Sequence, residues 1–377
     1  MNFSLTEDQK NTAERCRQFA ETEIAHEIRA LEENLELRKK VFQKMALEGF
    51  FTLALSGNKS KRDTIGYLLG LNAIAKVDAG MGVAMAVTNM VAEAIERFGS
   101  DEQWTEYLPR IANGTCVPLS FALTEKQAGS DVKAIQTSFE MDSEDPEVIV
   151  LNGSKQYITN ADIAGVVIVI AKGSWDGEEG ISAFLVDHGV KGFSVVKKED
   201  KLGLLTANLV SLKFENCRIA KKSILGKPGE GLKIALSSLD SGRLGIAAQS
   251  LGIAEAAFEA ALLFSKERQQ FGHAIGENQV IAFKLADMRV KLDAGRLLML
   301  KAAWLKDENV GYSMEAAEAK LYCSESCNEI AGEALQIHGG CGYIKDYPVE
   351  KYFRDARVTT IYEGTSEIQR IVIARNL

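Results

Sequence analysis

Apolar residues recur with a helical period in two long regions of the chain. From Thr6 to Ile111, and again from Gly231 to the end, they stand three and four positions apart, as on one face of a helix. One such seam consists of Ile281, Leu285, Met288, Leu292, Gly295, Met299 and Ala302. It predicts a helix of about 25 residues with a single buried face. With neighbours of similar length, this helix would belong to a bundle.

A different pattern fills residues 115–225. Short runs rich in β-branched and aromatic residues alternate there with turn signals such as Asn152-Gly153 and Asp176-Gly177. The predicted strands are Val117–Leu123, Val148–Leu151, Gln156–Thr159, Val166–Ala171, Ile181–Val186, Phe193–Lys197 and Val210–Phe214. We therefore predict an α+β protein with an all-α domain at 1–114, a compact antiparallel β domain at 115–225 and a helical domain at 226–377. This order is not a βαβ series, so a Rossmann domain is not expected.

The composition excludes several classes of function. The 377 residues carry a net charge of −8, whereas a nucleic-acid-binding protein presents a basic surface to phosphate groups. Apolar stretches such as Ala79–Val87 are shorter than the roughly 20 residues of a membrane helix, and the N-terminus has no signal-peptide pattern. Six cysteines are too few for a disulfide framework, and Cys323 and Cys327 have no further ligand at metal spacing. We expect a cytoplasmic protein with no metal ion, no membrane and no nucleic-acid partner.

Two polar segments carry candidate chemistry. Phe121–Asp131 runs from a predicted strand into a loop that offers hydroxyls and backbone N–H groups to a polar heteroaromatic ligand, although a simple Gly-Ser-Asp turn explains the loop better on its own. In the second segment, Glu363 follows the apolar pair Ile361-Tyr362 and precedes Gly364. Apolar surroundings raise the pKa of a carboxylate, which suits a general base. The alternative is a surface glutamate that caps the last helix.

Taken together, these segments resemble the acyl-CoA dehydrogenase family over essentially the whole chain. One family signature is similar to Leu123-Thr-Glu-x-x-Ala-Gly-Ser-Asp131. The other is similar to Gln336-Ile-His-Gly-Gly-Cys-Gly-Tyr343, Tyr347-Pro348, Arg354-Asp-Ala356 and Ile361–Gln369, with Tyr157–Asn160, Leu239–Leu244 and Arg268–Gly272 lying between the two. The short-chain, butyryl-type branch is the most similar.

The resemblance implies a helical N-terminal domain, a central β domain and a C-terminal four-helix bundle that bind FAD. In this family a glutamate removes a proton from Cα of an acyl thioester while Cβ delivers hydride to flavin N5, which gives a trans-2-enoyl thioester. By correspondence, Glu363 is the base and its backbone N–H is a donor to the thioester carbonyl. Other branches carry the base at the position of Gly242, where a glycine cannot serve. The family also implies an electron-transferring flavoprotein as electron acceptor.

The same correspondence assigns contacts to individual residues. Those expected to bind FAD are Phe121, Leu123, Thr124, Ser130, Tyr157, Thr159, Arg268, Phe271, Gln279, Gln336, Gly339, Gly340, Thr365, Ser366 and Glu367. Those expected to bind the substrate are Ser130, Asp240, Arg243 and Gly364. Tyr157 takes a place usually held by tryptophan against the flavin ring. In the family, the positions matching Arg268 to Gly340 reach FAD across a subunit boundary, so the resemblance implies a homotetramer.

One segment departs from the family pattern. Residues 51–63 lack the usual Pro-Glu-x-x-Gly-Gly loop, and the nearby helix carries the polar residues Thr88, Asn89 and Glu93. Either these side chains face solvent or another helix, or they receive a functionalised acyl group. Two alternatives to a dehydrogenase for short or small functionalised acyl-CoA stay open: an enzyme acting on a thioester tethered to a carrier protein, and an inactive flavin-binding or structural homologue.

Overall fold

The computed structural model describes residues 4–57 and 62–377. Its helices are α1 (Glu7–Phe19), α2 (Ile28–Glu33), α3 (Leu35–Leu47), α4 (Thr64–Val77), α5 (Ala79–Phe98), α6 (Asp101–Ala112), α7 (Gly231–Glu267), α8 (Gln279–Asp307), α9 (Ser313–His338), α10 (Val349–Ala356) and α11 (Ser366–Arg375). Its strands are β1 (Ser120–Ala122), β2 (Ser138–Met141), β3 (Val148–Thr159), β4 (Val166–Trp175), β5 (Glu178–Asp187), β6 (Phe193–Lys198), β7 (Leu209–Ala220), β8 (Ile224–Leu225), β9 (Gln269–Gln270) and β10 (His273–Ala274). Helices therefore precede and follow a β region, which confirms the predicted architecture.

Eight of the strands form one sheet with mostly antiparallel pairing. Seven of them follow the order β6-β7-β3-β2-β4-β5-β8, and β1 joins the sheet at β4. The pairings of β4 with β1 and with β2 are parallel. The expectation of an entirely antiparallel domain therefore holds for most of the sheet but not for these two contacts.

Two strand predictions differ from the structure. Residues 148–151 and 156–159 belong to one strand, β3, because Asn152-Gly153 forms an irregularity in the ladder rather than a turn. Gly153 has φ +144°, and a Cβ there would lie 2.6 Å from Cα of Thr137, so the close approach of β2 requires glycine. Strand β2 was not predicted, because Phe139 is its only buried residue and four residues are too few to show alternation.

The C-terminal region is a bundle built around α7. This helix packs against α8 and α9 of the bundle and against α4 and α5 of the N-terminal region, while the short helices α10 and α11 both pack on α9. Among the described helices, α7 is the one with enough length and apolar character to cross a membrane, but 67% of its apolar window is buried inside the protein. Such burial is what a central bundle helix requires.

Helix α8 confirms the predicted seam and shows a second apolar face. Met288, Leu292, Gly295, Met299 and Ala302 are buried, as their spacing predicted. On the outward side, apolar residues recur about every two helical turns and are more than half exposed. These outward residues are Phe283, Val290, Leu297 and Trp304. An exposed apolar stripe of this length is unusual on a monomer surface.

Candidate active site

Glu363 lies in a tight turn just before α11. Glu363 and Gly364 both have left-handed backbone, with φ of +53° and +88°, a conformation that glutamate seldom adopts. The Nε2 group of Gln369 donates to the carbonyl oxygens of these two residues at 3.1 and 2.8 Å. Lys320 of α9 also donates to the Gly364 carbonyl, at 2.8 Å. The turn is therefore fixed from two sides, as strained segments at functional sites generally are.

The carboxylate of Glu363 is shielded and incompletely bonded. Its Oε2 atom has almost no contact with solvent and no hydrogen-bond partner among the described residues. Burial raises the pKa of Glu363 to about 7, a rise that Arg243 and Lys320 partly oppose. The alternative of a glutamate capping the last helix does not hold, because Thr365 caps α11. A carboxylate that titrates near neutral pH is suited to general-base chemistry.

The carboxylate points at Gly242 on α7. A Cβ placed on Gly242 would lie closer than 3.0 Å to Oε2 of Glu363 and 3.1 Å from Sδ of Met90 on α5. The missing side chain therefore leaves room for the carboxylate between α5 and α7. Position 242 and the carboxylate of Glu363 are therefore adjacent in space. This is expected if other branches of the family carry their base at the position of Gly242 and place its carboxylate in the same region.

One helical turn further along α7, the space between the helices closes. A Cβ on Gly245 would lie 3.3 Å from Cβ of Ala86 on α5. It would also lie 3.6 Å from the side chain of Leu71 and 3.6 Å from the hydroxyl of Tyr67, both on α4. Three helices therefore converge tightly beside the space that Glu363 faces.

Gln249 is the next polar residue of α7 on this side, and it is fully buried. Its Nε2 group donates to the carbonyl of Ala79 at 2.6 Å. Its Oε1 atom accepts a hydrogen bond from the hydroxyl of Tyr362, the residue before Glu363. Both ends of the amide are held, so the side chain forms a fixed floor beneath the Glu363 turn. Gln249 was not predicted from the sequence, because a glutamine on an apolar helix has no distinguishing pattern.

The residues expected at the flavin ring come together where β1 and β3 end. The amide of Gln156 donates to the carbonyl of Thr124 at 2.8 Å, and the hydroxyl of Ser120 donates to the carbonyl of Thr159 at 2.6 Å. Phe121 and Leu123 belong to the same β1 segment. A β-bulge in β3 and a φ of +59° turn Tyr157 outward, leaving it 57% exposed. An exposed aromatic ring there can stack on a planar ligand.

A buried ion pair fixes this loop. Lys155 donates to Oε1 of Glu125 at 2.7 Å and to the carbonyl of Leu123 at 3.0 Å. Burial favours the neutral acid, but hydrogen bonds from Lys155 and Thr137 hold the pKa of Glu125 at about 2. This pair was not predicted from the sequence, although a lysine at an inward position of a strand is a signal for a buried partner.

A second group of expected FAD contacts lies at the other end of the bundle. Arg268 directly precedes the β9–β10 hairpin, and Phe271 lies in its turn and is 96% exposed. Gly339 and Gly340 follow α9, with no atom within 4 Å of a Cβ placed on either. The stretch of α7 from Gly242 to this hairpin is about 26 residues, or about 39 Å of helix. Gln279 and Gln336 belong to the same end. One chain therefore does not bring this group to the Glu363 turn.

The remaining candidates lie on α7, at the start of α11 and in the loop after β1. Asp240 and Arg243 of α7 form an ion pair at 2.5 Å, and Ser313 donates to Asp240 at 2.9 Å. Thr365 accepts from the Ile368 amide at the start of α11. Ser366 and Glu367 begin that helix, and Ser130 is exposed in the loop after β1.

Comparison with known proteins decides the family. Models of the acyl-CoA dehydrogenase N-terminal, middle and C-terminal domains match residues 6–115, 120–217 and 229–377. The chain belongs to the acyl-CoA dehydrogenase family. An acyl-CoA dehydrogenase of Bacillus subtilis is 41% identical, over 99% of this chain and 98% of the relative. The CarC subunit of the caffeyl-CoA reductase–Etf complex of Acetobacterium woodii is 40% identical, over 98% of each chain. The structure of butyryl-CoA dehydrogenase from Megasphaera elsdenii has a TM-score of 0.93 and 37% identity, over 100% of this chain and 99% of that one.

FAD is the typical cofactor of acyl-CoA dehydrogenases, and this chain offers groups that fit it. Tyr157 presents an exposed ring at the sheet edge. Gly339 and Gly340 leave open space beside backbone N–H groups, as a phosphate ligand needs. The individual contacts stay predictions.

The polar residues on α5 have partners within the acyl-CoA dehydrogenase fold. Thr88 and Asn89 bond to backbone groups of other elements. Glu93 is buried and accepts from Lys306 at 2.7 Å, with Arg62 at 3.5 Å. Burial acts to raise the pKa of Glu93, but Lys306 and Arg62 outweigh it and lower the pKa. The bonds of Thr88 and Asn89 support the expectation that they face other elements.

The atypical segment at 51–63 is described only in part, because residues 58–61 lie outside the described residues. Phe51 is buried in the core. The amides of Ser56 and Gly57 both donate to Oε1 of Glu96 on α5, at 2.9 Å. The described part of the segment is therefore attached to the same helix that carries Met90.

Proposed function

We propose that this acyl-CoA dehydrogenase oxidises short-chain acyl-CoA thioesters to trans-2-enoyl thioesters, with Glu363 as the base for the α proton. The observation that carries the proposal is the unpartnered Oε2 of Glu363, which faces Gly242 and Met90. A carboxylate in this state has a free lone pair directed into the space between α5 and α7. The flavin-side residues Tyr157 and Thr159 belong to the neighbouring sheet.

The local electrostatics favour proton removal. With a pKa of about 7, Glu363 is partly ionised at neutral pH and is a stronger base than an exposed glutamate. The fixed turn also orients its backbone N–H, which would donate to the thioester carbonyl as negative charge develops there. FAD, when bound, supplies the acceptor for the hydride from Cβ. This chain's residues exclude water, hold the carbonyl and accept the proton.

A short acyl group is favoured by the closed space beyond Glu363. The space between the helices ends beside Gly245, where it is closed by the side chains of Ala86, Leu71 and Tyr67. Gln249 adds a floor whose amide is bonded at both ends. An acyl chain of a few carbons fits such a space, whereas a longer chain would have to displace a bonded, buried amide.

We also propose a cytoplasmic homotetramer that passes electrons to an electron-transferring flavoprotein. The outward stripe on α8, from Phe283 to Trp304, offers an apolar surface for a second copy. The FAD candidates at the β9–β10 hairpin lie about 39 Å along α7 from the position of Gly242, which faces Glu363, so a neighbouring subunit would complete each site. The similarity to a subunit of an Etf complex supports the acceptor.

The direct test is anaerobic reduction of the bound FAD by a panel of thioesters. Butyryl-CoA should bleach the flavin fastest, octanoyl-CoA should be slow, and E363Q should not respond to either. Fast bleaching by a carrier-bound thioester and none by CoA thioesters would replace the substrate class. No bleaching by any thioester would favour the inactive homologue.

A further inference from the structure

Four lysines are buried among the residues that the structure describes, and one of them differs from the rest. They are Lys155, Lys306, Lys320 and Lys351. Three have a carboxylate oxygen within 3.0 Å of Nζ. Lys320 has 0% exposure, yet among the described residues no carboxylate oxygen lies within the 4.0 Å of an ion pair. Because burying a charge without an ion-pair partner is strongly unfavourable, the position of Lys320 needs an explanation.

The bonding of Lys320 points to the candidate base. Its ammonium group donates to the Gly364 carbonyl at 2.8 Å. Gln369 donates to the same oxygen at 2.8 Å and to the Glu363 carbonyl at 3.1 Å. Two donors from different helices thus hold the peptide groups that follow Glu363. One of them is charged and the other is neutral, although a neutral donor alone would satisfy the carbonyl.

The charge of Lys320 also acts on the carboxylate. Burial lowers the pKa of Lys320 to about 8, and Glu363 is the largest influence in the opposite direction. In return, Arg243 and Lys320 are the two groups that lower the pKa of Glu363. The other titratable groups on this side are Tyr67 and Tyr362, whose pKa values are raised by burial and by Glu363, so both are neutral. Glu325 and Glu367 act on Lys320.

We propose that Lys320 is a positioning residue for the base: it fixes the Glu363–Gly364 turn through the Gly364 carbonyl and favours the ionised carboxylate through its charge. The inference rests on the proposed role of Glu363. Arg243 is already paired with Asp240 at 2.5 Å, which reduces its net field. Lys320 is the cation near Glu363 whose charge is not matched by an ion pair among the described residues.

The test compares two variants of the FAD-loaded enzyme. K320M removes a charge and a hydrogen bond, whereas Q369M removes hydrogen bonds to the same turn and no charge. We measure flavin reduction by butyryl-CoA in stopped flow from pH 5 to pH 9. K320M should move the acidic limb of the rate profile upward by about one pH unit or more, and Q369M should leave the limb in place. An unmoved limb in K320M, or an equal movement in Q369M, would overturn the inference.

A second measurement separates this inference from the role of the base. Infrared titration of the oxidised enzyme, with the Glu363 carboxyl band assigned by its loss in E363Q, reports ionisation without turnover. The band should titrate at higher pH in K320M than in the wild type, even if another residue were the base. If K320M fails to fold or to bind FAD, K320Q keeps a donor for the Gly364 carbonyl and removes only the charge. A band unmoved in K320Q would then overturn the inference.

Discussion

Glu125 and Glu363 both interact with buried lysines, and their carboxylates behave in opposite ways. Glu125 contacts Lys155 at 2.7 Å and accepts two backbone N–H groups from residues 136 and 137, and its pKa is held at about 2. Glu363 has an unpartnered Oε2, and burial raises its pKa to about 7. The same two residue types therefore give a permanent ion pair in one region and a titratable base in the other. The difference is that a lysine ammonium lies 2.7 Å from the carboxylate of Glu125, as one also does at Glu93, whereas among the described residues none lies within ion-pair distance of Glu363.

Replacing Glu363 tests the titratable side of this comparison and has the largest expected effect. E363Q keeps the shape of the side chain, so the fold, FAD binding and thioester binding should persist. An amide cannot accept the α proton, so flavin reduction by butyryl-CoA should slow by about 10⁴-fold or more, at or beyond the upper end of general-base catalysis. Stopped-flow reduction of bound FAD measures this. A rate within tenfold of the wild type would place the base elsewhere.

Replacing Lys155 tests the paired side. K155M leaves Glu125 buried without its cation, which should lower the free energy of unfolding by about 3–5 kcal/mol. The variant should also bind FAD more weakly, because the carbonyl of Leu123 loses its donor at 3.0 Å. Denaturant unfolding and FAD titration measure the two effects. Lys126 is exposed in the same loop, so K126M is the control and should change stability by less than about 0.5 kcal/mol. Equal effects in both variants would refute the structural role of the pair.

The sequence predicted the architecture better than the site. The seam on α8 and the helix–sheet–helix order follow from periodicity, because burial of a face imposes a period on the chain. Glu363 was identified from its motif, and its apolar neighbours indicated a raised pKa. Gln249 and Lys320 could not be found in this way, since their roles come from contacts across helices. Gln249 meets Tyr362 more than a hundred positions along the chain, and no local pattern reports such a meeting.

Gln249, beneath the Glu363 turn, is a third buried polar side chain, and it bears on specificity for acyl-chain length. Unlike the two glutamates it is neutral, and its amide is hydrogen-bonded at both ends. Q249A removes the amide and opens space beside Ala79 and Tyr362. The rate of flavin reduction by octanoyl-CoA, divided by the rate with butyryl-CoA, should rise by about tenfold or more. Pocket contacts of this size change the discrimination between substrates by such factors. S250A, at the neighbouring buried residue, is the control and should leave the ratio unchanged. A ratio unchanged in Q249A would show that another element limits chain length.

The smallest expected effect is a difference in the pH dependence of stability. The folded pKa of Glu363, about 7, lies above the usual glutamate value of 4.5, so the fold favours the neutral acid. That contribution to stability is fully present below about pH 4.5 and is lost as the pH rises through 7. Glutamine stays neutral throughout, so the apparent Tm of E363Q should exceed that of the wild type by roughly a few degrees at pH 8, with little difference near pH 4.5.

Glu125 should show the opposite pH dependence: its pKa of about 2 gives stability above pH 4.5 that is lost as the pH falls. Scanning calorimetry of E363Q from pH 4.5 to 8 and of E125Q from about pH 2 to 5 should therefore give differences from the wild type with opposite slopes. Parallel slopes would mean that both carboxylates are structural, and that the unpartnered oxygen of Glu363 is not a sign of a base.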